Sequence, residues 1–172
     1  SGLAEVLKHA LISDPELFNA LSTAPPLSRR LIQRALSVKI DIVQRDPFEC
    51  GERAKLNMGH TIGHGIEVAS DYALRHGEAI AIGLVAEARL AEGMGLANQG
   101  LANRVAAQLQ ALSLPTRCPG LHPERIRTFM SNDKKKRGGV LKFTLPTDIG
   151  AVEYGITVEE ELLLEVISST SK

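Results

Sequence analysis

The sequence predicts a mainly α-helical domain with one small β-hairpin near its C-terminal end. Three observations carry this. Apolar residues recur at helical spacing over most of the 172 residues. Strand signals appear only after Gly139. No alternating strand–helix rhythm, internal repeat, low-complexity segment or linker divides the chain, so residues 1–172 are expected to form one helical domain.

The elements follow in order. Ala4 to Leu11 reads as a first helix. Asp14-Pro15-Glu16 is an N-cap with proline at the first helical position, which opens a second, short helix. Pro25-Pro26 breaks the chain, and Leu27, Leu31, Ala35, Val38 and Ile42 then recur as one face of a long amphipathic helix. Asp46 to Arg53 is a polar turn region. Gly59 to Ala69 is a helix rich in small residues, which lets a neighbouring backbone come close. His76 to Glu92 is apolar nearly all round in its first half, the pattern of a central buried helix. Leu101 to Leu112 is amphipathic, and Pro123 to Met130 is a short helix. Val140 to Leu145 and Ala151 to Tyr154, flanking Pro146 to Gly150, make the hairpin, and Thr157 with Glu160 forms a capping box for the last helix.

Composition excludes several functions. With 20 basic and 20 acidic residues the net charge is zero, so no global field holds nucleic acid or an anionic membrane. Aromatics are 3% of the chain, too few for a base-stacking platform. No apolar run is long enough to cross a membrane. Cys50 and Cys118 have no paired spacing, which makes a reducing, cytoplasmic location the default. The chain opens at Ser1-Gly2 rather than Met, and it reads as a piece of a longer protein.

Three clusters bear chemistry. Glu5 and Lys8 lie three apart on one face of the first helix; a surface ion pair is the plain reading. His60 and His64 sit one helical turn apart with Glu67 on the same face, a spacing that suits either zinc or a pair of hydrogen-bonded histidines. The metalloprotease pattern fails, because Thr61 stands where it needs glutamate. His76-Gly77-Glu78 opens the buried helix, His76 as a cap and Glu78 answering the dipole. A short connection over Tyr72 to Arg75 would also fold that helix back and bring His76 near His60. Glu5 would then complete a Glu-His-His set with open positions, the form of a catalytic zinc site. Lys39 interrupts an apolar helix face, and Glu49, Arg53 and Asn57 line the approach to His60. Asp133 to Arg137 reads as a basic turn, either a solvated charge run or an anion clamp. Neither a dinucleotide fingerprint nor a Walker A loop is present.

In order along nearly the whole chain, Ser1-Gly2-Leu3-Ala4-Glu5-Val6-Leu7-Lys8, Lys39, Glu49-Cys50-Gly51-Glu52-Arg53, Leu56-Asn57-Met58-Gly59-His60-Thr61-Ile62-Gly63-His64-Gly65-Ile66-Glu67, His76-Gly77-Glu78 and Asp133-Lys134-Lys135 resemble the 3-dehydroquinate synthase family of sugar-phosphate cyclases. The resemblance implies the multi-helical C-terminal domain of that fold, with Glu5, His60 and His76 as ligands of a divalent metal, zinc or cobalt. It implies that His64, Asn57 and one of Lys134 or Lys135 meet substrate phosphate, and that Lys39 and Arg53 hold a carboxylate. Lys8 would touch substrate hydroxyls near the metal, and Glu49 would support His64 or the proton traffic around it. NAD would be bound mainly by an N-terminal domain outside this chain, and the full-length form would be a homodimer. The implied reaction turns 3-deoxy-D-arabino-heptulosonate 7-phosphate, a small anionic sugar-acid phosphate, into 3-dehydroquinate and phosphate. The chain alone would be inactive.

Three other readings compete. Another sugar-phosphate cyclase would act on a substrate without the carboxylate, which Arg53 and Lys39 disfavour. A metal-dependent polyol dehydrogenase of related fold would have no use for the phosphate-facing set. A helical binding module with a structural metal would want four protein ligands rather than three.

Overall fold

The structure, a computed structural model, describes residues 2–23, 28–136 and 140–172, with the backbone alone for 22–23 and 131–136. Its elements are α1 (Gly2–Ser13), α2 (Pro15–Thr23), α3 (Arg29–Arg45), a 3-10 segment (Glu52–Asn57), α4 (His60–Ala69), α5 (His76–Gly93), α6 (Leu101–Ala111), α7 (Pro123–Lys136), β1 (Phe143–Asp148), β2 (Ala151–Ile156) and α8 (Glu160–Thr170). The mainly helical class with one antiparallel hairpin is as expected.

Helix α5 is the axis of the molecule. Every residue from Ala79 to Ala88 is buried, and α1, α4, α6, α8 and β1 pack around it. A helix enclosed on all sides needs apolar residues on all sides, which is why its sequence lacks a polar face. Where α4 crosses α5 the two backbones nearly touch. A Cβ added at Gly83 would lie 2.1 Å from the Gly59 carbonyl oxygen and 2.9 Å from the Gly63 nitrogen. Gly59 itself turns into α4 with φ at 78°, a left-handed conformation that favours glycine.

Local chemistry explains the other boundaries. Asp14 caps α2 by accepting from the Leu17 amide at 2.9 Å, and Arg34 of α3 grips the same carboxylate at 2.5 and 2.8 Å. Ser28 caps α3, and Leu27, assigned to that helix by the apolar pattern, lies outside the described residues. At the other end of α3, the Asp46 carboxylate accepts from the amides of Cys50, Gly51 and Arg53 at 2.8 to 2.9 Å. That one side chain organises the polar turn region. The hairpin is tied back at two points: Gly150 N–H donates to the Leu11 carbonyl at 2.9 Å, and the Thr144 hydroxyl to the Ala54 carbonyl at 2.8 Å.

Three boundaries differ from the sequence expectation. Helix α7 continues to Lys136, so the segment expected as a basic turn is helical through that residue, and Arg137 lies outside the described residues. Lysine is a good helix former, and cations suit a helix C-terminus. The hairpin starts at Phe143 and takes Pro146 into β1, opposite Val152. A two-stranded sheet has only edge strands, where a missing N–H is tolerated. Thr157 does not cap α8: Glu159 is the N-cap residue, without a side-chain cap. Val158 instead packs against the core, which keeps the chain extended for two residues longer.

Candidate metal and substrate site

Glu5 from α1, His60 from the start of α4 and His76 from the start of α5 come together, their ligating atoms all within 4.8 Å of one another. His64, one turn after His60, packs edge-on against His60 with ring centroids 5.2 Å apart and lies 5.8 Å from His76. His64, Glu67 and His76 form a second such group, so His76 is common to both. The His60–His64 pair does not by itself make a ligand set among the described residues.

Hydrogen bonds decide which nitrogen each ring offers. The His60 Nδ1 lies 3.0 Å from the Met58 carbonyl oxygen, which accepts only, so Nδ1 carries the proton and Nε2 keeps its lone pair. The His76 Nδ1 lies 3.1 Å from the Glu67 carboxylate, which leaves the His76 Nε2 free in the same way. That contact ties the His76 ring to Glu67.

Glu5 faces His60 without a proton between them. Its Oε1 is buried, no hydrogen-bond donor among the described residues satisfies it, and it stands 3.5 Å from the His60 Nε2. Burial pushes the Glu5 carboxyl up, but Lys8 and the histidines beside it outweigh this and hold it below its ordinary value. Burial, then the Lys8 charge, hold His60 down to about 4, so its ring is neutral. An ionised carboxylate oxygen and a neutral imidazole lone pair at that distance repel unless a cation lies between them. The donor set of two imidazoles and one carboxylate suits a divalent transition metal with open positions.

Lys8 is not a surface residue. Its side chain is 4% exposed, and its ammonium donates to Glu5 at 2.7 Å and to the Leu56 carbonyl at 2.8 Å. Burial lowers its pKa, with the Glu5 charge opposing. The ion pair expected from the sequence forms, but its lysine is not at the surface: i,i+3 spacing reveals the pair but not the helices that cover it. An ammonium has three N–H donors, so one remains for a ligand.

The remaining expected residues are more dispersed. A cavity of about 420 Å³ is lined by Glu49, Asn57, Thr61, Lys142 and Tyr154 among others; Lys39, Arg53 and His64 are not part of its wall. Arg53 turns its guanidinium toward the Pro47 carbonyl at 3.3 Å. Lys39 is exposed on α3, close enough for its charge to lower the pKa of Lys8 and His9. Glu49 is exposed and held at φ 57°. Lys134 and Lys135 lie on α7, and their side chains fall outside the described residues. His76 does not cap α5; Arg75 is the N-cap residue, and the Glu78 carboxylate accepts from its amide at 2.8 Å.

Two supporting residues were absent from the expected site set. Glu67 was visible as an acid sharing the helix face of His60 and His64. Asp46 carries the signature of an Asp-Pro dipeptide at a helix end.

The buried histidines make the metal-free chain acid-sensitive. His9, like His60, is pushed down to about 4 by burial and then by Lys8. Unfolded histidine titrates near ~6.5, so between about 6.5 and 4 the unfolded chain binds protons that the folded chain refuses. The stabilising contribution of both rings is complete above that window and is lost as pH falls through it. Glu87 opposes them, because burial raises its carboxyl to about 8, and its contribution is complete below about 4.5 and fades as pH rises. Two rings against one carboxyl leave a net loss on acidification. Thermal melts of the metal-free chain should show a lower Tm at pH 4.5 than at pH 6.5, by several degrees. His60→Ala should shrink that difference, and equal Tm values at the two pH values would contradict the neutral buried rings.

The fold and this site define a class of protein: a helical domain that offers two imidazoles and a carboxylate to a divalent cation beside a polar cavity. Residues 2–136 match the family described as 3-dehydroquinate synthase C-terminal, and the chain belongs to that family. It is 41% identical over 175 aligned residues to a 3-dehydroquinate synthase of Synechocystis, covering 95% of this chain and 48% of that protein. It is 42% identical to a 3-dehydroquinate synthase of Halorhodospira halophila, covering 94% of this chain and 49% of that protein. The chain thus spans about half the length of the curated relatives it matches. Among solved structures, it is similar to a 2-epi-5-epi-valiolone synthase from Streptomyces hygroscopicus with NAD+ and Zn2+ bound, at a TM-score of 0.86 and 27% identity, covering 98% of this chain and 50% of that one. It is also similar to a 2-deoxy-scyllo-inosose synthase complexed with carbaglucose-6-phosphate, NAD+ and Co2+, at a TM-score of 0.82 and 26% identity, covering 98% of this chain and 51% of that one.

Proposed function

We propose that this chain is the metal- and substrate-binding domain of a 3-dehydroquinate synthase, working with an NAD-binding domain in the shikimate pathway of a cytoplasm. The observation that carries the reading is the apposition of the Glu5 Oε1 and the His60 Nε2, two unprotonated donors 3.5 Å apart with His76 beside them. Glu5, His60 and His76 would hold zinc or cobalt, and the ion when bound would polarise a substrate alcohol and the ketone it becomes.

The protein groups divide the remaining work. Lys8 keeps Glu5 ionised and offers its third N–H to a substrate hydroxyl. Glu67 fixes the His76 ring. Asn57, His64 and a lysine of the Lys134-Lys135 pair bind phosphate, while Arg53 and Lys39 bind the carboxylate. In the structure one guanidinium N–H of Arg53 meets the Pro47 carbonyl at 3.3 Å, which leaves four donors for a carboxylate. Glu49, on the wall of the cavity that holds Asn57, supports proton transfer near His64.

A chain in which the NAD-binding half of a relative precedes these residues tests the reading. With NAD and zinc it should release phosphate from 3-deoxy-D-arabino-heptulosonate 7-phosphate, and the 172-residue chain alone should not. Turnover of a sugar phosphate that lacks the carboxylate, with none of the keto-acid phosphate, would instead make it one of the cyclases of the valiolone or inosose type.

A further inference from the structure

We propose that Glu87 is a positioning residue, which sets the orientation of the His60 ring through a single peptide group. Glu87 lies at mid-helix in α5, fully buried, where the sequence is otherwise apolar. Its Oε2 accepts from the Gly59 amide at 2.5 Å, and the Thr61 and Ile62 amides also point at the carboxylate. The Gly59 amide and the Met58 carbonyl are the two ends of one peptide bond. The other end accepts from the His60 Nδ1 at 3.0 Å. A peptide group is planar, so fixing its N–H fixes its carbonyl. Glu87 therefore holds the plane that tells His60 which nitrogen to protonate and where to aim Nε2.

The need for an outside residue is local. Gly59 occupies the N-cap position of α4 and has no side chain to satisfy the first amides of that helix. Its left-handed φ of 78° favours glycine over a capping serine or aspartate. Packing is equally strict, since a Cβ at Gly59 would meet the Leu84 side chain at 2.8 Å. A carboxyl group reaching over from α5, which accepts through its oxygen whether or not it is ionised, is the substitute. A buried acid with one oxygen unpartnered among the described residues has no value as packing, which points to the amides it receives.

This inference rests on the reading of His60 as a metal ligand, and the test separates the two. Imidazole nitrogen NMR on the metal-free chain needs no metal and no variant in its first arm. His60 should be the Nδ1–H tautomer, and a Nε2–H tautomer in the unaltered chain would overturn the relay. In the second arm, Glu87→Gln keeps an acceptor oxygen and should keep that tautomer, whereas Glu87→Leu should give a mixture. Zinc affinity measured by calorimetry should fall ~10–100-fold in Glu87→Leu, the range for a supporting partner of a ligand, and recover most of that in Glu87→Gln. A folded Glu87→Leu chain with wild-type tautomer and affinity would refute the proposal. If Glu87→Leu does not fold, Glu87→Gln decides: loss of the Nδ1–H tautomer despite the retained acceptor would refute it, and retention would support it. Were His60→Ala to bind zinc like the unaltered chain, the metal reading would fail, while the tautomer arm would still stand or fall by itself.

Discussion

Gly83→Ala is expected to destabilise the domain by about 3 kcal/mol or more, the upper end of the range for overpacking a close contact. The added carbon would sit 2.1 Å from the Gly59 carbonyl oxygen. That neighbour is backbone and has no rotamer to yield, so α4 must move off α5. The movement carries consequences beyond stability, because Gly59 precedes His60 directly. In a chain of this size the loss corresponds to a Tm drop on the order of 10 °C. Gly2→Ala is the control, since nothing lies within 4 Å of a Cβ there, and it should melt like the unaltered chain. If the two variants melted alike, the close crossing of α4 and α5 would not be present in solution.

His60→Ala is expected to abolish tight metal binding while leaving the fold intact. His60 is the residue whose lone pair faces Glu5, and the remaining pair, Glu5 and His76, come from different helices. Losing a supporting partner costs ~10–100-fold in affinity, so losing a ligand should cost more. The ring is largely covered, its side chain 17% exposed, so some loss of stability is expected alongside the loss of metal, with the helices retained. Calorimetric titration of zinc into both proteins, with circular dichroism to confirm the helices, checks the expectation. His64→Ala should retain far more of the affinity. If instead His64→Ala lost zinc and His60→Ala did not, the second group, His64 with Glu67 and His76, would be the metal site.

Much of this architecture is legible in the chain because local signals and global packing agree. Asp14-Pro15 marks the start of α2 by a cap and a preset φ, and the side chain does make that bond. The apolar stretch of α5 can only be satisfied by enclosure, and it is enclosed. The signals mislead where local chemistry is ambiguous. The charges of 133–136 are as compatible with a helix C-terminus as with a turn. Thr157 and Glu160 have the spacing of a capping box, yet Val158 packs against the core and the helix starts only after Glu159.

The site follows the same division. The convergence of His60 with His76 was readable from a short connection between two helices. The burial of Lys8 was not, because it depends on the carbonyl of Leu56, far away in sequence. The bond between Glu67 and His76 depends on a turn in which Asp71 and Tyr72 both take positive φ, at 53° and 59°. Such a turn has no glycine to announce it. Glu87 is the extreme case: one acid within the apolar stretch of α5 from Ala79 to Ala88 says that something polar lies opposite, but not that it is the amide before His60.

The three residues that meet at the site belong to α1, α4 and α5, so an ion held there would close one long loop of polypeptide, from Glu5 to His60, and one short one, from His60 to His76. Such an ion binds the native arrangement and not the unfolded chain, so it stabilises the fold by mass action, the more so the higher its concentration above Kd. The α1 end of the chain would then be held to the centre of the domain by chemistry as well as by packing, and a chelator could remove the first while leaving the second.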